Sequence, residues 1–104
     1  LRKNLGGVDP QYQLKLFVAG SSNRTTTAVA NLQALCDEKF PGDYVLVVVD
    51  VLLNPEIAEH QKVLATPTLI KEFPLPSRRI IGDLSDKDKV FSAMGLNPDS
   101  KDTH

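Results

Sequence analysis

Thr66-Pro67-Thr68-Leu69-Ile70-Lys71-Glu72-Phe73-Pro74-Leu75-Pro76-Ser77-Arg78-Arg79-Ile80-Ile81 is the stretch that decides the fold. Thr66-Pro67 ends whatever helix precedes it, because proline lacks an N–H and disfavours helical geometry in the residue before it. Thr68 to Phe73 has the β-branched and apolar content of a strand. Pro74 and Pro76 make a connection too stiff for strand interior. Arg78 to Ile81 then reads as a short strand, and so short a connection predicts antiparallel pairing with its predecessor.

Working towards the N-terminus, Tyr44 to Val49 is an apolar, valine-rich run. Such a run predicts a strand buried on both faces, as in a parallel sheet. Before it, Val29, Leu32, Cys36 and Phe40 fall at helical spacing and predict one buried stripe on a helix over about Thr25 to Lys39, stopped by Pro41-Gly42. Ser, Asn and Thr in the loop after Gly20 are suited to capping it. Earlier still, Leu14, Leu16 and Val18 alternate with Lys15 and Phe17, a strand whose second face is also partly apolar. Strand, helix and strand in this order form a right-handed βαβ unit. Asn54-Pro55-Glu56 starts a second helix, predicted to run to about Leu64. Towards the C-terminus, Ser85-Asp86-Lys87-Asp88 resembles a capping box with Asp in place of Glu. It precedes a helix with Val90, Phe91 and Met94 on its apolar face and Gly95 as terminator.

The predicted order is β-α-β-α-β-β-α, an α/β fold of thioredoxin-like arrangement with a mixed sheet. Residues 1–13 read as an N-terminal arm, 14–96 as the single domain and 97–104 as a frayed tail. The 104 residues suit one domain, and the 41% hydrophobic and 24% charged content is globular. A net charge of -1 gives neither nucleic acid nor an anionic membrane an electrostatic claim. No run approaches the roughly 18 apolar residues of a membrane span. A lone cysteine, Cys36, forms no internal disulfide, which fits a reducing, cytoplasmic compartment.

The residues argue against catalysis. A thioredoxin-type redox centre needs C-x-x-C at the first helix N-terminus, where the helix end lowers a thiol's pKa. Ser21-Ser22-Asn23-Arg24 stands there instead. Cys36 lies far down the helix on its apolar face and reads as a small buried hydrophobe. His60 and His104 are too isolated to hold a metal. Asp83, Asp86 and Asp88 lack the glycine spacing and glutamate of a calcium loop. No phosphate loop occurs, and no cofactor or metal is expected. Lys62, at the end of the second helix, and Arg78-Arg79, on a rigid hairpin, are the candidate partner-binding residues. Paired arginines suit a partner's carboxylates.

Phe17-Val18-Ala19-Gly20, Asp50-Val51-Leu52 with Asn54-Pro55, Leu64-Ala65-Thr66-Pro67-Thr68-Leu69 and Arg78-Arg79-Ile80-Ile81-Gly82-Asp83-Leu84-Ser85-Asp86 together resemble the KaiB family. The resemblance covers about Leu14 to Val90. It implies a non-enzymatic regulator that docks on the KaiC ATPase ring, modulates its phosphorylation state, competes with a sensor histidine kinase for the ring and helps sequester KaiA. It implies that residues at Lys62, Arg78 and Arg79 contact KaiC. Analogy with thioredoxin-like folds, where a cis proline precedes the third strand, implies that Thr66-Pro67 is cis. It also implies homo-oligomers, dimeric or tetrameric, in some state, because some members alternate between a homotetrameric resting fold with a rearranged C-terminal half and a thioredoxin-like monomer. Three departures stand out: Thr27 where clock members are basic, Ala93 where they carry glycine, and a short tail without an acidic run. Alanine exceeds glycine in helix preference by about 1 kcal/mol, so a helix rather than a strand is expected over 86–94. The departures also fit a divergent, stress-linked member. The alternative reading is a thioredoxin-like redox or stress protein that does not act through KaiC.

Overall fold

The computed structural model describes residues 11–82 and 84–95. The expected arm before residue 11 and the tail from 97 lie outside the described residues. The elements are β1 (Tyr12–Val18), α1 (Asn23–Lys39), β2 (Tyr44–Asp50), α2 (Pro55–His60), β3 (Thr68–Phe73), β4 (Arg78–Ile81) and α3 (Lys87–Ala93). Their order is the one the periodicities predict. β1 starts at Tyr12, inside the stretch read as arm.

The four strands lie in the order β2-β1-β3-β4. β1 pairs parallel with β2 and antiparallel with β3, and β3 pairs antiparallel with β4. Leu14, Leu16 and Leu69 point to one face, where they meet Leu32, Leu35 and Cys36 of α1 and Val90 of α3. Alternation sends Phe17 to the other face, where it too is fully buried. The buried stripe of α1 runs through Ala28, Leu32, Leu35 and Cys36, while Val29 is only partly covered.

Three expectations need correction. β2 is not buried on both faces. Among the described residues it is an edge strand, paired on one side only, and Val45, Val47 and Val48 stay more than 40% exposed. An apolar run reports hydrophobicity, whereas a strand's place in the sheet follows from long-range pairing. The second helix does not reach Leu64: α2 ends at His60, and Lys62 takes a left-handed backbone with φ 57°. Finally, the cap of α3 is Asp86 and not Ser85. Its carboxylate accepts from the Lys89 N–H at 3.1 Å. Ser22 caps α1 by accepting from the Thr25 N–H at 3.3 Å. Residues 87–93 are helical, as the alanine at position 93 favours.

Candidate functional site

The loops after β1 and β2 and the one before β3 gather at one end of the sheet, and Asp50 holds the first two together. Its side chain Oδ1 accepts from the Gly20 N–H at 3.0 Å and from the Leu52 N–H at 2.9 Å. Its backbone carbonyl accepts from the N–H groups of Leu53 and Asn54. One carboxylate thus fixes a loop whose leucines point outward. Leu52 is 68% exposed and Leu53 77%. On the far side of α2, Leu64 is 93% exposed beside a groove lined by Val51, Pro55, Ala58 and Val63. Ile57 of α2 adds further apolar surface. Leucines displayed in this way around a short helix cost solvation free energy, which is the usual mark of a docking surface.

Arg79 borders this surface. Its guanidinium donates to the Gln61 carbonyl at 2.6 Å and to the Lys62 carbonyl at 2.9 Å. These bonds satisfy carbonyls left open where α2 stops, and they tie the hairpin to that helix end. Lys62 and Arg79 are therefore brought together. Arg78 is not with them, because neighbouring strand residues point to opposite faces. It lies on the α3 side, opposite Lys71 in the ladder, with its guanidinium packed against Gly95. The two arginines cannot fork onto a single partner group.

The position of a thioredoxin redox centre is occupied by hydroxyls. A cleft of about 150 Å³ lies between Ser22, Thr25 and Thr66-Pro67. The peptide bond preceding Pro67 is cis. Cys36 is fully buried, and burial together with the neighbouring Asp37 carboxylate pushes its thiol pKa up to about 12. A buried, protonated thiol is a poor nucleophile. Among the described residues no group of three or more His, Cys, Asp or Glu side chains could hold a metal, and no helix is long and apolar enough to cross a membrane.

Two features escaped the sequence reading. The exposed leucines were hidden in what read as ordinary loop and helix. Lys71 is 1% exposed, although it carries a charge. Its alternation with Leu69 was the available signal: both side chains must point to the α1–α3 face. Burial, with Arg78 nearby, holds its ammonium pKa below the usual 10.5.

The geometry describes a thioredoxin-like scaffold with hydroxyls where the redox cysteines would stand, and the comparisons with known proteins agree on the fold. The solution structure of the N-terminal domain of Synechococcus elongatus SasA superposes with a TM-score of 0.69 at 21% identity, covering 91% of this chain and 90% of that one. Mitochondrial thioredoxin 3 from Saccharomyces cerevisiae gives 0.63 at 22% identity, covering 82% and 77%. Both share the fold. In sequence, the circadian clock oscillator protein KaiB of Synechococcus elongatus is 52% identical over 85 residues, which are 82% of this chain and 83% of that protein. KaiB of Microcystis aeruginosa is 51% identical over the same span, 82% of each. The KaiB domain model matches residues 15–96, from the second half of β1 past the end of α3. A thioredoxin-like scaffold without the redox cysteines, half the residues identical to clock proteins over most of the chain and a domain match that reaches every element place this chain in the KaiB family.

Proposed function

We propose that this chain is a non-enzymatic regulator that docks on a KaiC-like ATPase ring and modulates its phosphorylation state, in circadian timing or a related stress response. The observation that carries this reading is the display of Leu52, Leu53 and Leu64 around α2, on a loop held by Asp50 and beside Lys62 and Arg79. The leucines supply the buried centre of an interface, and the cations form its rim and select an acidic facing surface. A regulator of this kind competes with a sensor histidine kinase for the ring and, where KaiA is present, helps sequester it. The protein acts in the cytoplasm and forms a homo-oligomer, dimeric or tetrameric, in some state.

The test is capture of the full chain by purified KaiC from the same genome, with Leu64→Glu and Lys62→Glu as variants. Leu64 is almost wholly exposed, so the glutamate leaves the fold intact while placing a charge in the interface. The native chain binds, and each variant loses affinity by about tenfold or more. Native-strength binding by both variants refutes this surface. No binding by the native chain refutes the ring as partner.

A further inference from the structure

The other end of the sheet order carries a second surface, on the opposite face from Lys62 and Arg79. β4 pairs only with β3 among the described residues. The Gly82 N–H donates inward to the Pro67 carbonyl at 3.2 Å, so alternation turns Ile80 and Arg78 inward as well. The backbone groups of Arg79 and Ile81 therefore face outward with no strand beside them. Next to this open edge, a groove of about 350 Å³ runs between β4 and α3, lined by apolar side chains including Ile80, Leu84, Val90 and Ala93.

The charge around the groove is polarised. At the Gly82 end stand Asp86 and Asp88, the first of them engaged in capping α3. Lys89 lies on the groove wall beside Asp86. Beyond the other end, two residues before Ile80 on β4, stands Arg78, with Lys71 buried behind it. Among the described residues, no carboxylate or hydrogen-bond acceptor meets the side chain of Arg78, Lys71 or Lys89. A buried ammonium without a counter-ion is costly, and a carboxylate brought to this end relieves that cost.

We propose that the β4 edge and its groove capture an extended acidic segment of a partner protein as a fifth strand, with an apolar side chain in the groove and a carboxylate at Arg78. Main-chain bonds to Arg79 and Ile81 supply affinity, and alternate side chains supply selectivity. A second copy of this chain fits less well, because edge-to-edge pairing brings both copies' Arg78 and Arg79 onto one short ladder. This surface is independent of ring docking through α2.

The test is a fluorescence-anisotropy titration of the full chain with a fluorescein-labelled peptide Glu-Glu-Val-Thr-Val-Glu, and with its lysine counterpart Lys-Lys-Val-Thr-Val-Lys. The acidic peptide binds at least about tenfold more tightly than the basic one. Arg78→Glu removes that preference. Ile81→Pro removes an outward N–H that no described residue accepts and weakens both peptides. If Ile81→Pro does not fold, Arg78→Glu and the groove-filling Ala93→Trp carry the test. Equal binding of the two peptides, absence of binding, or unchanged binding in folded variants overturns the proposal. A dimer in light scattering that Ile81→Pro dissolves overturns it in favour of a second copy.

Discussion

Lys71→Met should make this protein more stable. Lys71 sits on the helix-covered face of β3, in register with Leu14 on one side and Arg78 on the other. It is 1% exposed, and no described side chain pairs with it. Its burial withholds water from an ammonium, and Arg78 adds repulsion. Methionine has nearly the same length and shape, so the replacement removes the charge without opening a cavity. Replacing buried ion pairs by well-packed hydrophobes is neutral to stabilising by about 1–4 kcal/mol, and removing an ammonium that has no partner should gain at least about 1 kcal/mol. In a domain of this size each kcal/mol raises Tm by roughly 4–8 °C. Urea unfolding followed by circular dichroism at pH 7 reads the difference directly. The pH dependence gives an independent check. The folded pKa is lowered, so between that value and the unfolded 10.5 the unfolded chain holds more protons. Stability of the native protein therefore rises with pH across that window, and the full penalty stands below it. The Met variant lacks this rise. A variant that is destabilised, or a rise of equal size in both proteins, refutes the unpaired buried charge.

Asp50→Ala removes the acceptor shared by the Gly20 and Leu52 N–H groups, at an expected cost of about 1–3 kcal/mol. It should also accelerate hydrogen exchange in the 51–54 loop, with β3 and β4 unchanged. Cys36 should resist thiol reagents in the folded protein at pH 8, because its pKa lies near 12 and its sulfur is buried. Cys36→Ser should destabilise by roughly 1–3 kcal/mol through an unpaired hydroxyl, without changing ring binding. Rapid labelling of the native thiol would revive the redox reading.

The order of elements was legible because each carries its own period: alternation in β1, a stripe in α1, and prolines bracketing β3 and β4. What was hidden depends on partners distant in the chain. The valines of β2 state that the strand is apolar, but only the pairing of β1 with both β2 and β3 makes β2 an edge. The helical signal of residues 55–64 does not register that Arg79, arriving from the hairpin, takes the carbonyls of Gln61 and Lys62. The placement of the three candidate binding residues was half legible. Lys62 and Arg79 meet, whereas Arg78 belongs to the other face, and that division was already implied by placing Arg78 to Ile81 on a strand. The exposed leucines were less accessible to reading, because a leucine in a helix or loop gives no sign of which way it faces until the core has been filled by others.

The opposite placement of Arg78 and Arg79 leads to a separation of function. A double substitution at this pair perturbs two surfaces at once, and any loss of binding it causes has no single origin. Arg79→Lys keeps the charge beside Lys62 but loses the fork onto two carbonyls. It should loosen the end of α2, with faster amide exchange at Gln61 and Val63, and weaken ring capture modestly. Arg78→Glu leaves those carbonyl bonds intact and should spare ring capture, while abolishing the preference for the acidic peptide. The two effects should add in the double variant, because the side chains share no partner. If Arg78→Glu impairs ring capture as strongly as Arg79→Lys does, the two faces work as one surface and their assignment to separate partners is wrong. If Arg79→Lys weakens peptide capture while leaving α2 exchange unchanged, Arg79 acts at the β4 edge and not as the tie between hairpin and helix.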